Sequence, residues 1–79
     1  RREFGILFQF GQLIPELTAE ENVALPLLLE GRRRRRSVAA AAQVLQRLGV
    51  EDLSGKRSAE LSGGQAQRVA LARAMVTRW

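Results

Sequence analysis

Residues 61 to 74 read LSGGQAQRVALARA, and the first five have the chemistry of a helix start. Ser62 and Gln65 have the spacing of a capping box, in which each side-chain oxygen accepts from the other residue's backbone N–H. Gly63 and Gly64 then fall in the first helical turn, where each glycine costs up to about 1 kcal/mol relative to alanine. This cost indicates that bare backbone is needed there.

A helix start without side chains suits an anion. The first turn offers unpaired N–H groups and about half a positive charge from the helix dipole. Two glycines let a phosphate approach those donors closely. Ser-Gly-Gly is also typical of an ordinary flexible turn before a helix, so these three residues alone leave both interpretations open.

The composition excludes several kinds of site. The 79 residues suffice for one small domain, and they include no cysteine and no histidine. Disulfides, thiolate metal sites and histidine general bases are therefore excluded. No apolar run approaches the 18 residues of a membrane span, and no secretory signal is visible, so we expect a cytoplasmic protein.

Residues 3 to 10 alternate in the period of a strand, with Phe4, Ile6, Phe8 and Phe10 on one side. A lone strand cannot bury three phenylalanines. We therefore expect it to pair with strands outside this sequence or to be covered by the helices that follow.

The first predicted helix covers residues 19 to about 30. Thr18 and Glu21 form a second capping box at its start. Pro26 removes one backbone hydrogen bond and is expected to kink or break this helix, and Gly31 is a plausible stop.

Two further helices are predicted, over about 38 to 48 and 63 to 77. Ser37 is expected to cap the first of them, and Gly49 to end it. Apolar residues recur at helical spacing in both. The predicted apolar stripes are Val38, Ala41, Ala42, Leu45 and Leu48, and then Val69, Ala72, Met75, Val76 and Trp79, with Arg68 and Arg73 pointing mostly elsewhere.

Arg32 to Arg36 form an uninterrupted basic block. Such a block can be a patch for nucleic acid, an acidic partner or anionic lipid. It can equally be a solvated loop or helix start between two helices. We favour the second interpretation, because no aromatic residue interrupts the arginines and no second basic cluster lies close in sequence.

The segment from residue 61 to residue 74 resembles the signature motif of the ATP-binding cassette (ABC) ATPases nearly letter for letter. Phe8-Gln9, Leu13-Ile14-Pro15 and the stretch from Leu17 to Val23 resemble the Q-loop region of the same family, in particular that of lipoprotein-release and macrolide-efflux type exporters. The resemblance implies a mainly α fold. Residues 1–12 would be a strand and the start of the Q-loop at the edge of a missing α/β core, and residues 13–79 a helical subdomain of three to four helices carrying the signature.

The resemblance also implies roles for individual residues. Ser62, Gly63, Gly64 and Gln65 would contact the γ-phosphate of ATP bound to a partner ATPase subunit in a head-to-tail dimer. Gln9 would be the Q-loop glutamine that touches Mg²⁺ or its water, near the contact with a transmembrane permease subunit. ATP and Mg²⁺ are thus the expected cofactors of the full-length protein, at the cytoplasmic side of the cell membrane, and no nucleic acid is expected.

The sequence departs from the family by what it lacks. No G-x-x-x-x-G-K-[ST] phosphate loop, no Asp-Glu strand after the signature and no switch histidine is present. We therefore expect an internal fragment that supplies half of a composite site, with no catalytic residue of its own and no ATP hydrolysis alone. The alternative is a small basic helical module that binds nucleic acid or an acidic partner through Arg32 to Arg36.

Overall fold

The computed structural model describes residues 12–78, which form three α-helices around one core. Helix α1 is Ala19–Leu29, α2 is Arg34–Arg47 and α3 is Gly63–Val76. Two 3₁₀ turns, Glu51–Leu53 and Ser58–Glu60, connect α2 to α3. Each helix packs against the other two. The predicted mainly helical fold is confirmed. The predicted strand over residues 3 to 10 lies outside the described residues, and so does Trp79, the last residue of the predicted stripe on α3.

Helix α1 begins at the predicted capping box. The Thr18 side chain accepts from the Glu21 N–H at 3.2 Å, and the Glu21 carboxylate accepts from the Thr18 N–H at 2.9 Å. The predicted stop, Gly31, follows the last helical residue by two positions, and its φ of +88° is the left-handed conformation that favours glycine. Gly31 N–H donates to the Leu28 carbonyl and Arg32 N–H to that of Leu27, which satisfies two of the last carbonyls.

Pro26 does not break α1, so that part of the prediction is wrong. The helix continues for three residues beyond it, and the Pro26 carbonyl still accepts from the Glu30 N–H. An internal proline costs about 3 kcal/mol. Pro26 and Leu27 are both buried, and Leu27 is only 1% exposed, so apolar packing at this point offsets the loss.

Helix α2 begins at Arg34, four residues before the predicted start, and Ser37 is not its cap. Ser37 lies inside the helix and is completely buried. Its hydroxyl donates back to the Arg33 carbonyl at 2.9 Å, so the polar group is satisfied without ending the helix. The helix ends just before Gly49, the predicted stop, whose φ is +73°.

The core lies where the three helices meet. Ala41, Leu45, Val69, Ala72 and Val76 are buried there, as the predicted stripes require. The stripes omitted Val44 of α2, and no stripe was predicted for α1 or for the segment that connects α2 to α3. The buried apolar residues outside the predicted stripes are Ala19, Val23, Ala24, Leu27, Val44, Val50 and Leu53.

Arg73 does not point away from the core, which corrects the prediction. It is only 7% exposed, and burial lowers the pKa of its guanidinium. Arg68, by contrast, is exposed and donates from Nη1 to the Leu48 carbonyl at 3.1 Å. Arg68 therefore ties α3 to the end of α2.

Candidate functional site

The start of α3 has the predicted capping box. Ser62 Oγ accepts from the Gln65 N–H at 3.1 Å, and Gln65 Oε1 accepts from the Ser62 N–H at 2.9 Å. Ser62 itself is extended, with φ −69° and ψ 166°. The serine hydroxyl uses one of its lone pairs in this contact, so its proton remains available for a further acceptor.

The first turn of α3 is open. Ser62, Gly63 and Gly64 are exposed, and Gln65 is half-buried. Within the described part of the chain, the amides of Gly63 and Gly64 donate to no acceptor. A Cβ atom placed on either glycine would meet nothing within 4 Å. The first turn of α3 therefore offers two amide donors without an acceptor among residues 12–78, an exposed hydroxyl and the positive end of the helix dipole.

The start of α1 has the same capping motif but is closed by the chain itself. The Ala19 N–H donates to the Lys56 carbonyl at 2.7 Å, and the Glu20 N–H donates to the Ser54 carbonyl at 3.0 Å. Glu20 and Glu21 also place negative charge in its first turn. Within residues 12–78, carbonyls thus close the capped start of α1, whereas the capped start of α3 stays open for an anion.

One hydrogen-bonded framework connects the two helix starts. Thr18 and Arg57 form an antiparallel bridge, and Arg57 Nε donates to the Glu16 carbonyl at 3.2 Å. The Arg57 N–H donates to the Glu60 carboxylate at 2.8 Å, just before the 3₁₀ turn that leads into Ser62. Arg57 was not predicted from the sequence, because two of its partners, Glu16 and Thr18, lie far away in sequence.

Asn22 is the second residue that the sequence analysis missed. Its side chain is fully buried and holds the segment from residue 14 to residue 18. Asn22 Oδ1 accepts from the Ile14 N–H at 2.7 Å, and Nδ2 donates to the carbonyls of Ile14, Leu17 and Thr18 at 3.1 to 3.3 Å. An amide among the apolar residues of α1 was the signal that could have revealed it.

Several other predicted features have simple outcomes. Gln9, the predicted Q-loop glutamine, lies outside the described residues. Glu21 caps its helix, and its pKa is lowered chiefly by the hydrogen bond from the Thr18 backbone, with smaller contributions from Arg34 and Arg57.

In residues 12–78 no three His, Cys, Asp or Glu residues group together as metal ligands would. None of the helices described here is long and apolar enough to span a membrane.

The chain is similar to the ATP-binding proteins of known transport systems. The chain is 52% identical over 77 residues to the lipoprotein-releasing system ATP-binding protein LolD of Koribacter versatilis, covering 98% of this chain and 34% of that protein. LolD of Cereibacter sphaeroides is also 52% identical, over 75 residues, which are 95% of this chain and 34% of that protein. The macrolide export ATP-binding/permease protein MacB of Shigella flexneri is 46% identical over 76 residues, which are 96% of this chain and 12% of that protein.

The chain therefore spans about a third of the length of the lipoprotein-releasing relatives that it matches. The model of the ABC transporter family matches residues 1–79, that is, the whole chain. This match and the similarity to LolD and MacB ATP-binding proteins place the chain in the ABC transporter family.

Proposed function

We propose that this chain is the part of an ABC transporter's ATP-binding subunit that carries the signature motif. In this proposal Ser62, Gly63, Gly64 and Gln65 contact the γ-phosphate of ATP held by a second, head-to-tail subunit. The observation that carries the proposal is the exposed first turn of α3, where two amides have no acceptor among residues 12–78 and the Ser62 hydroxyl keeps its proton free.

The two glycines support this reading because nothing inside the described chain requires them. Neither has a positive φ, and a side chain at either position would meet open space. Each still costs the helix up to about 1 kcal/mol relative to alanine. A group from outside the chain that must approach the backbone closely accounts for a cost that internal packing does not.

Ser62 and the amides act on the same target. A hydrogen bond to a charged phosphate oxygen is roughly twice as strong as a neutral one. Donors that are already fixed by the capping box need no reorganisation when negative charge builds up in the transition state. Gln65 serves mainly to hold Ser62 in place, since its side-chain oxygen is occupied by the Ser62 N–H.

The other parts of the proposal concern the whole protein. ATP and Mg²⁺ would bind mainly to parts of the subunit other than this chain, with Gln9 contacting Mg²⁺ or its water. The segment that begins near Gln9 would meet a transmembrane permease subunit, which places the protein at the cytoplasmic face of the cell membrane. The hydrogen bonds of Arg57 and Asn22 would then connect this segment to the residues that lead into Ser62.

The comparisons support a role in the use of ATP rather than in the recognition of one transported substrate. Relatives named for lipoprotein release and for macrolide export match 77 and 76 residues of this chain, at 52% and 46% identity. A segment shared between such different cargoes suits the common step, which is the use of ATP.

The test is an ATPase assay on a chimera in which residues 1–79 replace the matching segment of LolD from Koribacter versatilis. Ser62→Ala is expected to lower ATP turnover on the order of 10²-fold, the usual effect of losing one preorganised donor to a developing charge. Binding of ATP to the single subunit should stay within about twofold, because Ser62 acts on nucleotide held by the partner.

Thr18→Ala is the matched control. It removes the equivalent capping oxygen from α1, and either substitution costs about 1 kcal/mol of stability. The start of α1 is closed by the carbonyls of Ser54 and Lys56, so no outside ligand is lost. Equal effects of the two variants on turnover, or unchanged turnover in Ser62→Ala, would refute the assignment.

A further inference from the structure

The net charge of this protein is concentrated in Arg32 to Arg36. The chain carries 13 basic and 8 acidic residues, and five of the basic ones belong to this block. Outside the block, eight basic residues balance eight acidic ones. The excess of +5 is therefore a local feature at the corner between α1 and α2 rather than a property of the whole surface.

The structure confirms that the block is exposed and begins a helix. Arg33 is the N-cap of α2 and makes no side-chain cap, and Arg34, Arg35 and Arg36 form the first turn. All five arginines are exposed. The helix start accounts for the exposure of the block but not for its residue types.

Arginine is the wrong residue type for a helix start. Positive charge in the first turn opposes the helix dipole, and neighbouring like charges repel. Helix α1 of the same chain has the favourable arrangement, with a capping box and the acids Glu20 and Glu21. The start of α2 is thus less favourable for a helix than the start of α1. Its excess positive charge points outward.

Three of the five arginines lie apart from every carboxylate of the described residues. Arg32 lies 3.7 Å from Glu30 and Arg34 lies 3.6 Å from Glu21, and both are exposed contacts that contribute little. Among residues 12–78, no carboxylate lies within 4.0 Å of the guanidinium groups of Arg33, Arg35 or Arg36. Three guanidinium groups and the adjacent helix amides therefore remain available to an external anion.

An exposed apolar side chain lies beside the block. Leu29, the last residue of α1, is 47% exposed. Its Cα is at most about 11 Å from that of Arg32, because only three residue steps separate them. Basic side chains with an adjacent exposed leucine fit a lipid surface, where phosphates lie above hydrocarbon. A nucleic-acid backbone offers no apolar layer to receive Leu29.

We propose that Arg32 to Arg36, together with Leu29, form a docking surface for the anionic headgroups of a lipid bilayer. The surface shares no residue with the open start of α3 and does not depend on the proposed function. Successive helical residues project about 100° apart, so Arg34, Arg35 and Arg36 span about 200° around the first turn of α2. This arrangement suits end-on contact with a flat sheet of phosphates.

The test is co-sedimentation of the 79-residue chain with vesicles of phosphatidylcholine alone or with 30% phosphatidylglycerol, a composition of about one anionic lipid in three. The chain is expected to bind the anionic vesicles and to dissociate as salt rises. The variant R33Q/R35Q/R36Q should lose binding on the order of 10²-fold, from about fivefold per arginine. L29Q should weaken vesicle binding several-fold at unchanged charge.

The control variant is K56Q/R68Q/R78Q, which removes three exposed basic residues elsewhere. Circular dichroism verifies that both triple variants keep their helices. A loss of less than about tenfold in this control supports the surface, because the two variants have the same net charge. Equal losses in the two variants, or no binding to anionic vesicles, would overturn the proposal. If the chain bound a DNA duplex more tightly than anionic vesicles, and L29Q left that DNA binding unchanged, the choice of lipid as the partner would be overturned.

Discussion

The buried amide of Asn22 provides the sharpest test of how the fold holds the segment before α1. Replacement by leucine, whose side chain branches at the same carbon, removes four side-chain hydrogen bonds. Two of the backbone groups keep another partner: the Ile14 carbonyl accepts from the Leu17 N–H, and the Thr18 carbonyl accepts from the N–H of residue 22. The Ile14 N–H and the Leu17 carbonyl lose the one partner recorded for each within residues 12–78.

Each unsatisfied group costs about 1–3 kcal/mol when buried. Ile14 and Leu17 are half-buried, so water can compensate in part, and Asn22→Leu should lower the free energy of unfolding by about 2–4 kcal/mol. Domains of this size are rarely more stable than about 3–5 kcal/mol. The substitution should therefore remove most of the stability.

The assay is urea denaturation followed by circular dichroism, together with hydrogen exchange of the Ile14 amide. Gln46→Leu is the matched control, because it makes the same chemical change at an exposed position of α2. It should change stability by no more than about 0.5 kcal/mol. A loss below about 1 kcal/mol in Asn22→Leu, or an Ile14 amide that stays protected, would show that the network does not hold this segment.

Two further predictions concern glycine and pH. Gly63→Ala should stabilise the isolated chain by up to about 1 kcal/mol, because a methyl group there meets open space. Gly31→Ala should destabilise the chain by about 1 kcal/mol, because the φ of Gly31 is +88°. Melting temperatures that shift in the same direction in both variants would contradict this prediction. The Glu21 carboxylate accepts a hydrogen bond from the Thr18 N–H, and this bond lowers the pKa of Glu21 below the ordinary 4.5. The ionised carboxylate therefore stabilises the fold above about pH 4.5, and this contribution is lost as the pH falls through the folded-state pKa. Glu21→Gln keeps an acceptor for the same N–H, so its stability should fall less steeply than that of the wild type between about pH 5 and pH 3, and parallel curves in acid denaturation would refute this.

The sequence alone determined the helix boundaries that depend on local chemistry. The capping boxes at Thr18 and Ser62 and the stops at Gly31 and Gly49 each involve atoms no more than about five residues apart. Such interactions form whenever the segment is helical, so their spacing identifies them without knowledge of the fold. The candidate site at Ser62 to Gln65 was therefore predictable as a capped, glycine-rich helix start.

Tertiary structure decided which of two similar helix starts is open. The Ser54 and Lys56 carbonyls close the start of α1 from more than 30 residues away, and no spacing rule predicts that contact. Packing also placed Ser37 inside α2 and carried α1 past Pro26, because buried surface outweighs local preference where the three helices meet. The sequence could specify a helix start suited to phosphate, but only the arrangement of the helices leaves it exposed.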